Sequence, residues 1–222
     1  MKARCITLFT VLFLPFYLLA QEGTTIVAPT SEAAQGLDLQ AVSEIFKDAK
    51  DLETFEKELN DQDAGINNLD LDENGEVDYI RVVEQVDDNI HVVILQAQLG
   101  KDEYQDVATI EVEQSGEEEV NMQVTGNTVI YGPNYYVAPS YVRVHTWPII
   151  ALMYRPHYRP YRSAYYFGIY PRWWKPWRPL AYTAYRTNVV RVTRVSRFNI
   201  VKTNRVVAAS RVYVKPRSST LV

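Results

Sequence analysis

The sequence predicts an α+β fold: one or two N-terminal helices packed on an antiparallel β-meander, followed by an extended Pro/aromatic/Arg-rich tail. Three observations predict it. Apolar residues recur at helical spacing over 39–59. Four β-branched runs separated by turn residues follow between 77 and 124. Beyond residue 140 there is no acid at all, and prolines, arginines and aromatics interleave. Helices followed by strands, rather than alternating with them, favour α+β over α/β.

The elements follow in order. Leu39, Val42, Ile45, Phe46 and Ala49 share one helical face, with Asp38 as the N-cap. Asp51 caps a second helix whose apolar face is Leu52, Phe55 and Leu59. Strands are expected at 77–86, 90–99, 104–113 and 118–124, with a short one at 128–131. The 90–99 strand is apolar on both faces, so it is expected to be central, with one face under the helices and the other at least partly covered. Residues 141–180 hold six Pro, twelve aromatics including all four Trp, and seven cations. That proline density excludes a long helix or an internal strand and predicts extended, polyproline-like chain. Residues 186–215 alternate cations with Val, Ile and Thr, which fits basic β-strands or extended chain.

The net charge of −4 hides a strong asymmetry. Residues 1–140 carry 7 Lys and Arg against all 27 acids, a net −20, and residues 141–222 carry +16. The division expected is a leader (1–20), a linker (21–37), an acidic domain (38–137), a Pro/Arg/aromatic segment (138–185) and a basic terminus (186–222). Lys2 and Arg4 precede the apolar run Ile6–Leu19, and Leu18-Leu19-Ala20 supplies a cleavage-like end. This reads as a secretory signal peptide. Its removal takes away Cys5, the one cysteine, so the mature chain has no disulfide and no thiolate chemistry. Export without disulfides points to a bacterial envelope: periplasm, outer-membrane associated or extracellular. Export also removes nucleic acid from the list of partners.

One stretch carries recognisable ligand chemistry. Asp70-Leu71-Asp72-Glu73-Asn74-Gly75-Glu76-Val77-Asp78 resembles the start of an EF-hand or dockerin-type calcium loop. Asp70, Asp72, Asn74 and Asp78 are the candidate calcium ligands, with the Glu76 carbonyl between them. Arg81 stands where such a loop needs a bidentate Glu. The competing reading is a β-hairpin turning at Asn74-Gly75. No other cofactor is expected. His91, His145 and His157 stand at no ligand spacing, and no nucleophile elbow or phosphate loop is present. The chain is therefore read as a non-enzyme.

The Gly65–Asp70 and Asp78–Arg81 block, the 104–108 and 110–112 segments, Tyr131-Gly132-Pro133-Asn134-Tyr135 and the Arg/Tyr/Trp/Pro tail carry a resemblance. On these residues the chain resembles a group of uncharacterised exported proteins of Gram-negative bacteria. The resemblance implies compartment and architecture, and no activity. The function expected is adhesion of the basic aromatic tail to an anionic or amphipathic surface: a membrane interface, an acidic glycan or a protein partner. Arg155, Arg159, Arg162, Arg172, Trp173, Trp174, Lys175, Trp177 and Arg178 are its candidate contact residues. Two alternatives stand beside it. The calcium-like loop makes the protein a calcium-responsive module, or the tail packs only on its own acidic domain. Oligomeric state is not legible.

Overall fold

A computed structural model describes residues 35–140 and 143–213. The leader, Cys5, most of the linker and the terminus beyond 213 lie outside the described residues.

Two helices come first, α1 (Leu39–Asp48) and α2 (Leu52–Leu59). Asp38 Oδ1 accepts the N–H of Gln40 and Ala41, and Asp51 Oδ1 accepts that of Thr54, so both expected caps form. Phe46 and Phe55 meet edge to face at 5.4 Å and join the helices.

The strands are β1 (Ile80–Asp87), β2 (Ile90–Gly100), β3 (Glu103–Gln114), β4 (Val120–Gly126), β5 (Tyr136–Pro139) and β6 (Phe198–Val201). They form one antiparallel sheet in chain order. This is the α+β fold with a meander that the sequence predicts. On one face Val82, Val93, Leu95, Ile110 and Val124 pack with the two helices in the main core. On the other, Ile90, Val92 and Ile94 pack against Val206 and Ala209. The two-sided apolarity of β2 thus has a cover on each face, the second drawn from the far end of the chain.

Three local expectations are corrected. Residues 128–131 form a helical turn, α3 (Thr128–Tyr131), not a strand. Asn127 Oδ1 accepts the Val129 N–H, and Tyr131 turns inward to donate its hydroxyl to the Leu37 carbonyl at 2.8 Å. β1 begins at Ile80, not Val77, and no hairpin forms at Asn74-Gly75. A type I′ turn needs positive φ at both residues, but here Glu73 (55°) and Gly75 (84°) adopt it.

The tail is not extended throughout. Helices α4 (Pro148–Met153) and α5 (Tyr182–Thr193) interrupt it, β6 joins the sheet, and α6 (Ala209–Val212) lies over β2. Pro148 starts α4 at a position where no N–H is needed. Tyr185 and Val189, one turn apart, are buried against the main core, and burial outweighs the β-preference of the Val-rich run. The core therefore crosses the boundary expected at 137/138: Val144, Trp147, Ile149, Ile150, Met153 and Phe198 belong to it.

Between α4 and α5 the chain is irregular and runs beside β1. Glu84 N–H donates to Tyr161 O at 2.8 Å, and Ser163 N–H donates to Val82 O at 2.9 Å. Val83 and Arg162 form an antiparallel bridge. The Pro-rich segment thus covers the open edge of the sheet, which would otherwise be a template for association. Pro160, with no N–H to give, flanks this pairing.

Candidate functional site

The described part of the tail meets the acidic half mainly through tyrosines rather than cations. Glu56 of α2 is 1% exposed. Its Oε1 accepts from Tyr79 OH (2.7 Å) and Ser163 Oγ (2.6 Å). Its Oε2 accepts from Val82 N and Tyr161 OH, each at 3.1 Å. Burial raises the Glu56 pKa, and the four donors pull it back. Glu84 sits one strand-step further along. Its Oε1 lies 2.6 Å from His91 Nδ1, and its Oε2 accepts from Tyr158 OH (2.7 Å) and Tyr161 N (2.8 Å). The rings of Tyr154 and Tyr158 close over His91. A carboxylate–imidazole pair is half of a nucleophile-activating arrangement, but both Glu84 oxygens are committed and, among the described residues, no Ser or Cys bonds the imidazole. The network fastens the tail to the sheet edge.

The loop at 70–78 is shaped by its own oxygens. Gly75 N–H donates to Asp70 Oδ2 (3.0 Å), Asn74 N–H to Asp72 Oδ1 (3.2 Å) and Glu76 N–H to Asn74 Oδ1 (2.8 Å). Asp78 is turned back, accepting the Leu71 N–H at 2.6 Å. Asp70 Oδ1 is buried and without a partner. Arg81 leaves the loop altogether. It lies in β1 with its guanidinium stacked on Tyr166 (4.8 Å) and Tyr104 (5.3 Å). Among the described residues no three His, Cys, Asp or Glu converge as metal ligands.

Burial and the neighbouring Asp72 and Asp70 raise the Asp78 pKa from 3.8 to about 7. A carboxyl with a raised native pKa contributes stability that is full below its unfolded value and is lost as pH rises toward 7. Asp78→Asn keeps an acceptor for Leu71 and removes the buried charge. It is expected to raise stability by roughly 2–3 kcal/mol more at pH 8 than at pH 5, because the native carboxyl ionises between them while the unfolded one is ionised at both. Urea melts at the two pH values check this, and an equal effect at both would refute it.

Two depressions border the loop. Asp70, Leu71 and Glu73 line a groove of about 580 Å³ with Gly36, Leu99 and Leu180. Asp72, Asn74, Glu76 and Asp78 line a smaller pocket of about 200 Å³ that the tail completes. The wall of the smaller pocket is an aromatic cluster in which Tyr79 meets Trp174 at 5.2 Å and Tyr170 meets Trp174 at 4.4 Å. Trp177 packs behind Trp174, and its carbonyl accepts the Val77 N–H at 2.8 Å.

The surface residues expected from the sequence fall into two groups. Arg155, Arg159, Arg162, Arg172, Lys175 and Arg178 are exposed, as is Trp173, whose ring carries Lys57 at 5.9 Å. Trp174 and Trp177 are buried, 6% and 8% exposed, because Val77 and Tyr79 give them an apolar bed. Of the fourteen cations in 143–213, thirteen are exposed; the other, Arg186, pairs with Asp38 at 3.0 Å. That is the one ion pair between the two halves among the described residues. The residues that sequence reasoning missed are Glu56, Glu84, Tyr161 and Ser163. The bonds that join these carboxylates to the tail span 74 to 107 positions, and no local pattern announces them.

Compared with protein-family models, with curated proteins and with solved structures, the chain matches none.

Proposed function

We propose that this is an exported, non-enzymatic binding protein whose basic surface engages an anionic membrane interface at the cell envelope. The observation that carries the reading is the set of thirteen exposed cations among the described residues 143–213, left outward while tyrosine hydroxyls satisfy the buried acids. A tail that merely neutralised its own acidic half would spend its arginines on those acids. The leader-like first twenty residues support export.

A second feature favours a lipid interface over a soluble polyanion. Tyr166 and Ile169 exchange backbone hydrogen bonds across a tight turn, with Gly168 at φ 78°. The turn presents Tyr166, Phe167 and Ile169 to solvent, 43%, 45% and 64% exposed, with Arg162, Arg172 and Trp173 following the same path. Exposed aromatics flanked by cations suit the headgroup region, where each cation contributes about 1 kcal/mol.

Cosedimentation with anionic and zwitterionic vesicles tests the reading. Binding is expected to the anionic vesicles alone, and to weaken as salt rises. Replacing Arg155, Arg159, Arg172 and Arg178 together by Glu is expected to lower partitioning at least about a hundredfold. Phe167→Ser with Ile169→Ser is expected to lower it further, whereas binding to an acidic polysaccharide would not register that neutral change. Undiminished binding by both variants, or none by the wild type at low salt, would sink the proposal.

A further inference from the structure

The small pocket beside the acidic loop has a chemistry unlike that of the basic surface. Tyr79, Tyr170 and Trp174 form its aromatic wall, and Phe167 stands at its margin. Asp72, Glu76 and Asp78 surround it with carboxylates. Two of its lining side chains hold buried polar atoms without partners: Trp174 Nε1, a donor, and Gln98 Oε1, an acceptor. The two residues are 6% and 2% exposed. Gln98 is held in place from its other end, where Nε2 donates to the Tyr165 carbonyl at 3.2 Å.

These features narrow the ligand. Asp72 and Glu76, joined by Asp78 where it ionises, repel an anion, so the pocket is not an extension of the proposed lipid-binding surface. An ammonium group would satisfy Gln98 and the aromatic faces but has no lone pair for the Trp174 N–H. A hydroxyl both accepts and donates, so adjacent hydroxyls satisfy both orphaned atoms. The ligand must also present apolar C–H surface to the rings while bonding at its edge. About 200 Å³ is below the ~300 Å³ at which pockets for drug-sized molecules begin, so a single ring is the scale.

We propose that this pocket, built between the 70–78 loop and the 165–177 segment, binds a neutral sugar ring, with Trp174 Nε1 donating to one hydroxyl and Gln98 Oε1 accepting from another. Leaving a buried donor or acceptor unpaired is costly, and a polyol removes both costs at once. The site does not rest on the membrane reading, since it needs none of the exposed cations.

The test is ligand-observed NMR on the full chain. Its probes are methyl glycosides of glucose, galactose, mannose and N-acetylglucosamine, their short oligomers, and methylammonium as the cationic arm. One or more neutral glycosides is expected to bind in the millimolar range or tighter, and methylammonium not to bind. Trp174→Phe keeps the ring and removes the donor; Gln98→Leu removes the acceptor and touches no ring. Each is expected to weaken binding about tenfold, with the melting temperature checked for both. Gln98→Leu keeps the test open should Trp174→Phe loosen the aromatic cluster. The fourfold Arg→Glu variant is expected to bind the glycoside as the wild type does, although it leaves the vesicles. No glycoside binding up to about 50 mM overturns the proposal. So does binding indifferent to both substitutions, or binding of the ammonium probe alone.

Discussion

A chain ended at Ser140 is expected to lose its cooperative unfolding transition, even though it keeps both N-terminal helices and five of the six strands. The tail supplies Trp147, Ile149, Ile150, Met153, Tyr185, Val189 and Phe198 to the main core. It also supplies Val206 and Ala209 to the opposite face of β2. Burying one large apolar side chain contributes roughly 1.5–3 kcal/mol. A whole domain is stable by only about 5–15 kcal/mol, so these residues together outweigh any reserve. The truncated chain would also expose the outer edge of β1 and the face of β2 that Val206 and Ala209 cover, and aggregation is expected at the edge. Urea melts followed by circular dichroism, beside the full chain, decide it. A sharp transition at the full-length midpoint would show that the acidic half folds alone.

The second large effect is expected from Glu56→Ala. Four donors from two stretches of chain converge on this carboxylate: Tyr79 OH, Val82 N–H, Tyr161 OH and Ser163 OH. Removing the acceptor leaves them unpaired at a site 1% exposed and opens a cavity beneath the Pro-rich segment. The cost is expected to be about 3–5 kcal/mol. Glu56→Gln, which keeps one accepting oxygen, is expected to cost about half as much. Exposed cation changes such as Arg159→Gln are expected to stay within about 0.5 kcal/mol and serve as controls. Thermal melts of the three variants give the order, and an Ala variant as stable as the Arg159 control would refute the role.

Local signals explain which parts of this architecture were legible. The caps at Asp38 and Asp51 need only the residues within one turn of them. The meander is legible because β2 pairs with its sequence neighbours β1 and β3. Residues 128–131, which read as a strand, and 186–193, which read as strand or extended chain, are helical for a shared reason. Both runs are rich in β-branched or aromatic side chains, but Tyr131, Tyr185 and Val189 gain more from burial than strand preference offers. The candidate residues divided in the same way. Composition marked 172–178 as a contact segment, but not that Trp174 and Trp177 face Tyr79 while Trp173 faces outward. The four calcium-like positions were legible as a pattern. Whether their oxygens converge depends on backbone turns at Glu73 and Gly75, which composition does not specify.

By itself the sequence determined the α+β class, the two capped helices, the order of the central strands and the separation of −20 from +16 along the chain. These rest on periodicity, capping and composition, all properties of neighbouring residues. Only the tertiary structure decided that the basic tail completes the core, and that its tyrosines rather than its arginines meet the buried acids. The physical reason is desolvation. A tyrosine hydroxyl satisfies a buried carboxylate without bringing a second charge out of water, whereas an arginine would have to be stripped of its hydration. The arginines therefore remain at the surface.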